Sequence, residues 1–339
     1  MAKGEIVQKD LAFICEKSEE FIQGLTNSRV LLTGGTGFLG TWLLLSLLQL
    51  NKVFSLKLKV TVLSRDPKSF LSSHPYLSKE ENLSFIQGNI LDLSKNLGHF
   101  SHVIHGAIDS TSSDTLKQTV LDGTNELLSY LESSQLEAFI FLSSGAVYGE
   151  QPKQIKYISE QDKFFKSSSE LDIYANFKRK AERIILENNA IKNISVARCF
   201  SFLGPYMSFS NQFAIGHFIK SIVQENTINL SSDGSSLRTF LYAADFSIWI
   251  LKILLKSENK AIINVGSDQE INIRDVAFKV SKLEEIDIPI NLSSNKPTIR
   301  KRYVPSVSKA KEALNLTVWT DFETALEKTY LWYKQTLYS

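Results

Sequence analysis

The sequence is short of cysteine, histidine and net charge, and each shortage closes off a class of function. Cys15 and Cys199 are the two cysteines in 339 residues. They are too few and too far apart for a disulfide framework or a thiolate zinc site, and the expected compartment is the reducing cytoplasm. A formal net charge of +2 gives no reason to expect nucleic acid or an anionic membrane as partner. His99, His102 and His105 lie close together, but the odd spacing of the last two along an expected strand puts them on opposite faces, so no metal site is expected. No basic region followed by a cleavage site opens the chain, which argues against secretion. The uncharged stretch Val30 to Leu50 is not read as a membrane span. Four glycines interrupt it near its start, and the apolar helix that remains is too short to cross a bilayer. Hydrophobic content of 43% and charged content of 22% are ordinary for a globular chain. This length accommodates one large α/β domain with a smaller lobe, or two domains.

Glycine is present where it matters. An apolar strand, Val30 to Thr33, runs into Gly34, Thr36, Gly37 and then an apolar helix beginning near Phe38, Leu39 and Gly40. The first glycine permits a tight turn, the second lets a pyrophosphate approach the backbone, and the third lets the helix pack on its strand. The helix N-terminus then offers free N–H groups and a partial positive charge to phosphate.

Strands and helices alternate after this turn. Strands are expected near residues 58–63, 83–87, 102–105, 138–142, 194–198 and 261–265, and helices near 115–133, 171–188, 273–283 and 321–337. The pattern predicts an α/β fold, a Rossmann-type doubly wound parallel sheet with right-handed crossovers. Ahead of it, Leu11, Ile14, Cys15, Phe21, Ile22 and Leu25 mark one face of an extra N-terminal helix over about residues 10–25, packed on the body.

Two further segments carry a resemblance. Tyr174-Ala-Asn-Phe-Lys178 is a YxxxK pentapeptide, and upstream lies Ser143-Ser-Gly-Ala-Val-Tyr-Gly149. With the glycine turn, their order and spacing resemble the extended short-chain dehydrogenase/reductases that act on nucleotide sugars. Arg198-Cys-Phe-Ser-Phe-Leu-Gly-Pro205, Arg238-Thr-Phe-Leu-Tyr-Ala-Ala-Asp245, Ile263-Asn-Val-Gly-Ser267 and Ser308-Lys-Ala-Lys311 are similar to later landmarks of that group. The resemblance implies a smaller, interleaved C-terminal substrate-binding lobe. Residues 1–28 are then a helical extension, 29–203 and 239–266 the dinucleotide-binding domain, and 204–238 with 267–339 the substrate lobe. It also implies a homodimer in which the helices near 115–133 and 171–188 pair into a four-helix bundle. Leu116, Val120, Leu127, Leu128 and Leu131 on one helix, and Leu171, Ile173, Phe177, Ile184 and Ile185 on the other, suit helices that pack on more than one side.

Tyr174 and Lys178 fall on one helix face. A free phenol has a pKa of about 10. A neighbouring ammonium and a cationic nicotinamide both favour the phenolate, which can then take a proton from a sugar hydroxyl. By resemblance Ser144, at a strand's C-terminal end, bonds the reacting oxygen, and Lys178 also holds the nicotinamide ribose; Ser143 is the weaker candidate. Ser64 stands where an NAD enzyme places an acid, and with Arg65 it suits a 2′-phosphate. NADP(H) is therefore favoured, with NAD(H) the alternative. Asn89 and Ile90, in Gly88-Asn-Ile-Leu-Asp92, resemble the adenine-side segment, and His105-Gly-Ala107 a segment lining the cofactor. For a nucleotide-diphosphate sugar, Arg238 is the expected pyrophosphate ligand. Lys296 falls where the group often has a second arginine, Ser201 replaces its asparagine beside the sugar, and Arg300 and Arg302 are nearby alternatives.

Gly145 and Ala146 occupy the positions at which the group's 4,6-dehydratases carry Asp-Glu, the acid and base that remove water. Their absence leaves hydride transfer with one tyrosine proton relay. The expected function is an NAD(P)-dependent nucleotide-sugar 4-epimerase. The alternative is an NADPH-dependent 4-keto-sugar reductase or 4-dehydrogenase, with 4,6-dehydratase behind it. A non-catalytic cofactor-sensing regulator is the rival from another class.

Overall fold

The computed structural model describes residues 3–93, 98–109, 111–131, 136–165, 171–208, 214–284, 288–292 and 301–337. Seven strands, β1 (Arg29–Thr33), β2 (Lys59–Ser64), β3 (Leu83–Gln87), β4 (His102–His105), β5 (Ala138–Ser144), β6 (Ile194–Cys199) and β7 (Ala261–Val265), form its sheet. They lie in the order β7-β6-β5-β4-β1-β2-β3, and every neighbouring pair is parallel. This is the expected Rossmann-type sheet, and the strand order reverses between β1 and β4, the place where such sheets bind ligands.

The strands are apolar almost throughout because both faces are covered. Leu31, Val103, Phe139, Phe141 and Val196 point into one core; Val30, Leu32, Val60, Val62, Ile140 and Ala197 point into the other. On the first face lie α3 (Ser113 to Leu131, with one π turn at Gln118–Asp122) and α4 (Leu171–Glu187). On the second lie α1 (Lys3–Ser18), α2 (Phe38–Phe54), α5 (Ala243–Lys256) and α6 (Phe322–Leu337).

Helix α2 explains the uncharged run of the sequence. It is buried on nearly all sides, and α1 packs across both α2 and α5. A helix that is apolar all round needs such a cover. Asp10 of α1 is buried and accepts hydrogen bonds from the Tyr242 hydroxyl (2.6 Å) and the Lys328 ammonium (2.5 Å), which ties the extension to the body. This helix begins earlier than its periodicity indicated and stops at Ser18, after which Ile22–Leu25 forms a separate 3₁₀ turn. Its polar opening turns hold only Ile6 and Val7 as apolar markers, and both are buried. Among the described residues no helix is long and apolar enough to cross a membrane.

Of the residues that motivated a bundle interface, Leu116, Val120, Leu127, Leu128, Leu131 and Ile185 are buried within the single chain. The outward side of α3 carries Lys117, Gln118, Asp122, Asn125 and Glu126. On α4, Ile173 is 44% exposed, and Phe177 and Ile184 are half-buried.

Candidate active site

One cleft of about 1810 Å³ opens over the carboxyl ends of β1, β2, β4, β5 and β6. Its floor is the glycine turn. Gly34 has φ +74°, and a Cβ there would stand 2.6 Å from the Gly106 carbonyl oxygen. At Gly40 a Cβ would meet the Gly34 oxygen at 2.0 Å, so only glycine lets α2 start this close to its strand. Gly37 is the N-cap of α2 and offers no side-chain cap. The first N–H groups of the helix are thus left for an anion. Thr36, Gly37, Phe38, Leu39 and Gly40 all line the cleft.

Behind this floor His105 fixes the opposite wall. Thr124 Oγ1 donates to the Val120 carbonyl (2.5 Å), so it accepts from His105 Nε2–H (3.0 Å), and Nδ1 accepts from Thr33 Oγ1 (2.7 Å). The same Thr33 oxygen accepts from the N–H groups of Gly106 and Ala107, each at 3.1 Å. Burial, with Lys178 nearby, pulls the imidazole down to about 3, so it stays neutral. Gly106 and Ala107 line the cleft; His105 holds them from behind and does not line it, a correction to the expectation that the whole segment faces the cofactor.

At the end over β2 and β3, Ser64, Arg65, Asn89 and Ile90 line the cleft. Asn89 Oδ1 accepts from Leu91 N (3.2 Å), and Ile90 packs against Gly123. Arg65 is not free, however. It forms an ion pair with Asp109, whose carboxylate also accepts from Thr111 and is held below its usual range mainly by those Thr111 bonds. Asp109 was not anticipated, although it stands two residues beyond Ala107.

The end of the cleft that holds Ser144, Tyr174 and Lys178 is built from β5, β6 and α4. Ser144 closes β5, and its Oγ accepts from Ala146 N (3.1 Å). Tyr174 stands in the same cleft as Ser144. Lys178, one helical turn on, is 2% exposed; its ammonium donates to the Leu142 carbonyl (2.9 Å) and lies 4.5 Å from the centre of the Phe141 ring. The Tyr174–Lys178 spacing predicts that this ammonium depresses the phenol. Instead, burial pushes Tyr174 up to about 12, and the opposing influence is the Ser144 side chain. Burial also pulls Lys178 down to about 8, against Cys199 and the Glu182 carboxylate. Desolvation therefore outweighs the helical neighbour. Ser143 is taken up elsewhere: it donates to Glu182 (2.5 Å), which also receives Arg198 (2.7 Å), in a fully buried cluster.

Gly145 has no room for a side chain. A Cβ there would lie 2.6 Å from the Tyr303 hydroxyl and 2.7 Å from the Phe200 ring. Neither aromatic residue was singled out from the sequence; Tyr303 adjoins Arg302, and Phe200 sits inside the Arg198 segment. At the far end, Ser201 and Arg238 line the cleft. Arg238 donates to the Leu237 carbonyl (2.8 Å), burial lowers its pKa, and no carboxylate pairs with it among the described residues. Arg302 also lines the cleft, but it is paired with Glu270 and bonds the Lys156 carbonyl. Lys296 and Arg300 lie outside the described residues.

Residues 30–266 match the model of the NAD dependent epimerase/dehydratase family. The dTDP-D-glucose 4,6-dehydratase of Homo sapiens is 23% identical over 334 residues, covering 92% of this chain and 91% of that protein. The UDP-glucose 4-epimerase of Pasteurella multocida (strain Pm70) is 24% identical, covering 90% and 97%. Among solved structures, the UDP-N-acetylglucosamine 4-epimerase of Methanobrevibacter ruminantium M1, in complex with UDP-N-acetylmuramic acid, superimposes with a TM-score of 0.77 at 22% identity, covering 92% of this chain and 99% of that one. With its seven-stranded parallel sheet and glycine turn, the chain belongs to the NAD dependent epimerase/dehydratase family, in the extended short-chain dehydrogenase/reductase group.

Proposed function

We propose that this protein is an NAD(P)-dependent nucleotide-sugar 4-epimerase that works by transient oxidation at C4 and return of the hydride to the other face. The observation that carries this reading is the pairing of Ser144, Tyr174 and Lys178 with a closed position 145. The residues of a proton relay are present, the carboxylates that a dehydration needs are absent from positions 145 and 146, and Tyr303 and Phe200 fill the space at 145. The uncapped start of α2 and the cleft above it fit a dinucleotide pyrophosphate. Thr36 to Gly40 are its ligands in this reading, with Asn89, Ile90 and Ala107 along the adenosine and Lys178 on the nicotinamide ribose.

The bound dinucleotide supplies the hydride acceptor and donor. Tyr174 takes the proton from the sugar hydroxyl at its phenol oxygen and returns it when the hydride comes back. Ser144 donates to the reacting oxygen. Lys178, held by Leu142 and Phe141, keeps a positive charge beside the phenol. Arg238 and Ser201 hold the sugar nucleotide, with Lys296 and Arg302 near its phosphates. Arg302 reaches phosphate only by leaving Glu270.

The cofactor we propose is NADP(H), on Ser64 and Arg65; the 2′-phosphate then displaces Asp109 from Arg65. NAD(H) is the competing reading, and the carboxylate of Asp109 supports it. We also place the protein in the cytoplasm as a homodimer, with the Ile173, Phe177 and Ile184 side of α4 as the supporting surface. In this reading 29–203 and 239–266 hold the dinucleotide, and 204–238 with 267–339 hold the sugar.

The deciding experiment supplies UDP- and dTDP-sugars to the loaded protein and follows both sugar configuration and nicotinamide absorbance. Interconversion at C4 with no net absorbance change is expected. Stoichiometric NADPH oxidation would instead establish the keto-sugar reductase. Firm dinucleotide binding with no turnover of any nucleotide sugar would favour a sensor.

A further inference from the structure

Trp42 stands on α2, one turn beyond Phe38, and is fully buried. It does not line the cleft, although Leu39, Gly40 and Leu43 around it do. An indole has one N–H donor and no acceptor. Trp42 directs that donor to a remote segment: Nε1 donates to the Pro205 carbonyl at 2.8 Å, away from solvent.

Pro205 belongs to a tight turn. Met207 N donates to the Gly204 carbonyl (3.3 Å), with Pro205 second and Tyr206 third in the turn. Tyr206 has φ +70°. A proline followed by a positive φ makes this a type II turn, whose third position ordinarily calls for glycine or asparagine. A bulky residue there is strained. Aromatic neighbours hold it: the Tyr206 ring meets Trp42 edge-on at 6.1 Å and Trp332 of α6 at 5.1 Å. A buried hydrogen bond and ring contacts of this kind are similar in size to such strain, so Trp42 weighs in the balance that seats the turn. Met207, at the end of the turn, lines the cleft with Ile215 and Phe218.

The opening of α2 is the other side of this contact. Thr41 Oγ1 donates back to the Gly37 carbonyl (2.8 Å), and Ser46 Oγ to the Trp42 carbonyl (2.6 Å). Such back-bonding slightly destabilises a helix. An anion on the first N–H groups of α2 orders that opening turn, and with it the indole one turn on.

We propose that Trp42 is a positioning residue through which a dinucleotide on α2 seats the Gly204–Met207 turn and so tightens the cleft for the sugar nucleotide. This rests on the placement of the two ligands given under Proposed function. The dinucleotide orders the start of α2, the indole then holds Pro205, and the nucleotide meets Met207 already in place. The coupling is reciprocal, so the sugar nucleotide tightens the dinucleotide by the same factor.

The test is calorimetric. UDP and dTDP are titrated into the protein with and without saturating NADP⁺ or NAD⁺, whichever the protein binds more firmly. In the wild type the dinucleotide should tighten the better diphosphate by roughly five- to tenfold. Trp42→Phe keeps a ring and removes the N–H, and the factor should fall to about one. Tyr206→Gly removes the strain, so the diphosphate should bind without dinucleotide about as tightly as it binds the loaded wild type. Trp42→Phe/Tyr206→Gly should then bind it more tightly than Trp42→Phe does. Lost packing alone gives the reverse, because the double variant has lost a second aromatic contact. Equal diphosphate affinity with and without dinucleotide in the wild type overturns the proposal. So does an unchanged factor in Trp42→Phe, or a double variant no tighter than Trp42→Phe. If Trp42→Phe does not fold, Tyr206→Gly decides: a factor still at the wild-type value overturns the proposal. Failure to bind either dinucleotide or either diphosphate overturns the ligand placements themselves, and this proposal with them.

Discussion

Arg198 on β6 and Glu182 on α4 form an ion pair at 2.7 Å with side chains only 5% and 4% exposed, and Ser143 completes it from β5. Three elements that carry the candidate site are thereby fixed to one another: the helix of Tyr174 and Lys178, the strand ending in Ser144, and the strand of Cys199. Removing one partner strands the other charge in an apolar setting. Arg198→Met should lower unfolding free energy by about 3–5 kcal/mol, and Glu182→Leu/Arg198→Met should regain most of that loss. Denaturant unfolding of both variants checks this. Equal losses in the two would show that the cost is packing rather than an uncompensated charge.

Tyr174→Phe should leave folding and dinucleotide affinity close to wild type and reduce turnover at least about a hundredfold, the lower range for a lost general acid/base. Steady-state rates on whichever nucleotide sugar proves active, beside a dinucleotide titration, separate the two effects. Turnover near wild type would remove Tyr174 from the mechanism.

Arg65 and Asp109 pair at the end of the cleft where we propose the adenosine binds. Arg65→Ala should weaken NADP(H) roughly ten- to a hundredfold and leave NAD(H) almost unchanged, as expected for a lost charge-assisted contact. Asp109→Asn should strengthen NADP(H) by roughly two- to fivefold, the scale of an exposed charge pair. Calorimetric titration with both dinucleotides reads this directly. Wild-type protein that prefers NAD, with neither variant altering NADP affinity, would make Arg65 and Asp109 a surface pair and nothing more.

His105 links stability to pH. Its folded pKa of about 3 lies below the value of about 6.5 for an unfolded histidine. Between these values the unfolded chain binds the extra proton, so stability is present above about pH 6.5 and is lost on acidification, by about 1.4 kcal/mol per unit. Thermal midpoints of the wild type should fall across this window, and His105→Gln should show a shallower fall. Parallel curves for the two proteins would rule out His105 as a source of the slope.

What could be read directly from the sequence depended on neighbouring residues. The glycine spacing at 34, 37 and 40 reports a backbone turn, and the turn is there because a Cβ at Gly34 or Gly40 collides with backbone atoms. Tyr174 and Lys178 share a helix face because 3.6 residues make a turn. The strands alternate with helices in the sequence, so the doubly wound sheet was legible before any coordinate. The tertiary structure decided the rest, because those features depend on segments remote in sequence coming together. Asp109 against Arg65, Tyr303 over Gly145, and Arg198 beneath Glu182 each join separate elements over the sheet. No local pattern specifies such a contact. The protonation of the site belongs to the same class. The Tyr174–Lys178 spacing pointed to a lowered phenol pKa, yet burial raises it, since desolvation is a property of the assembled cleft and not of two residues one turn apart.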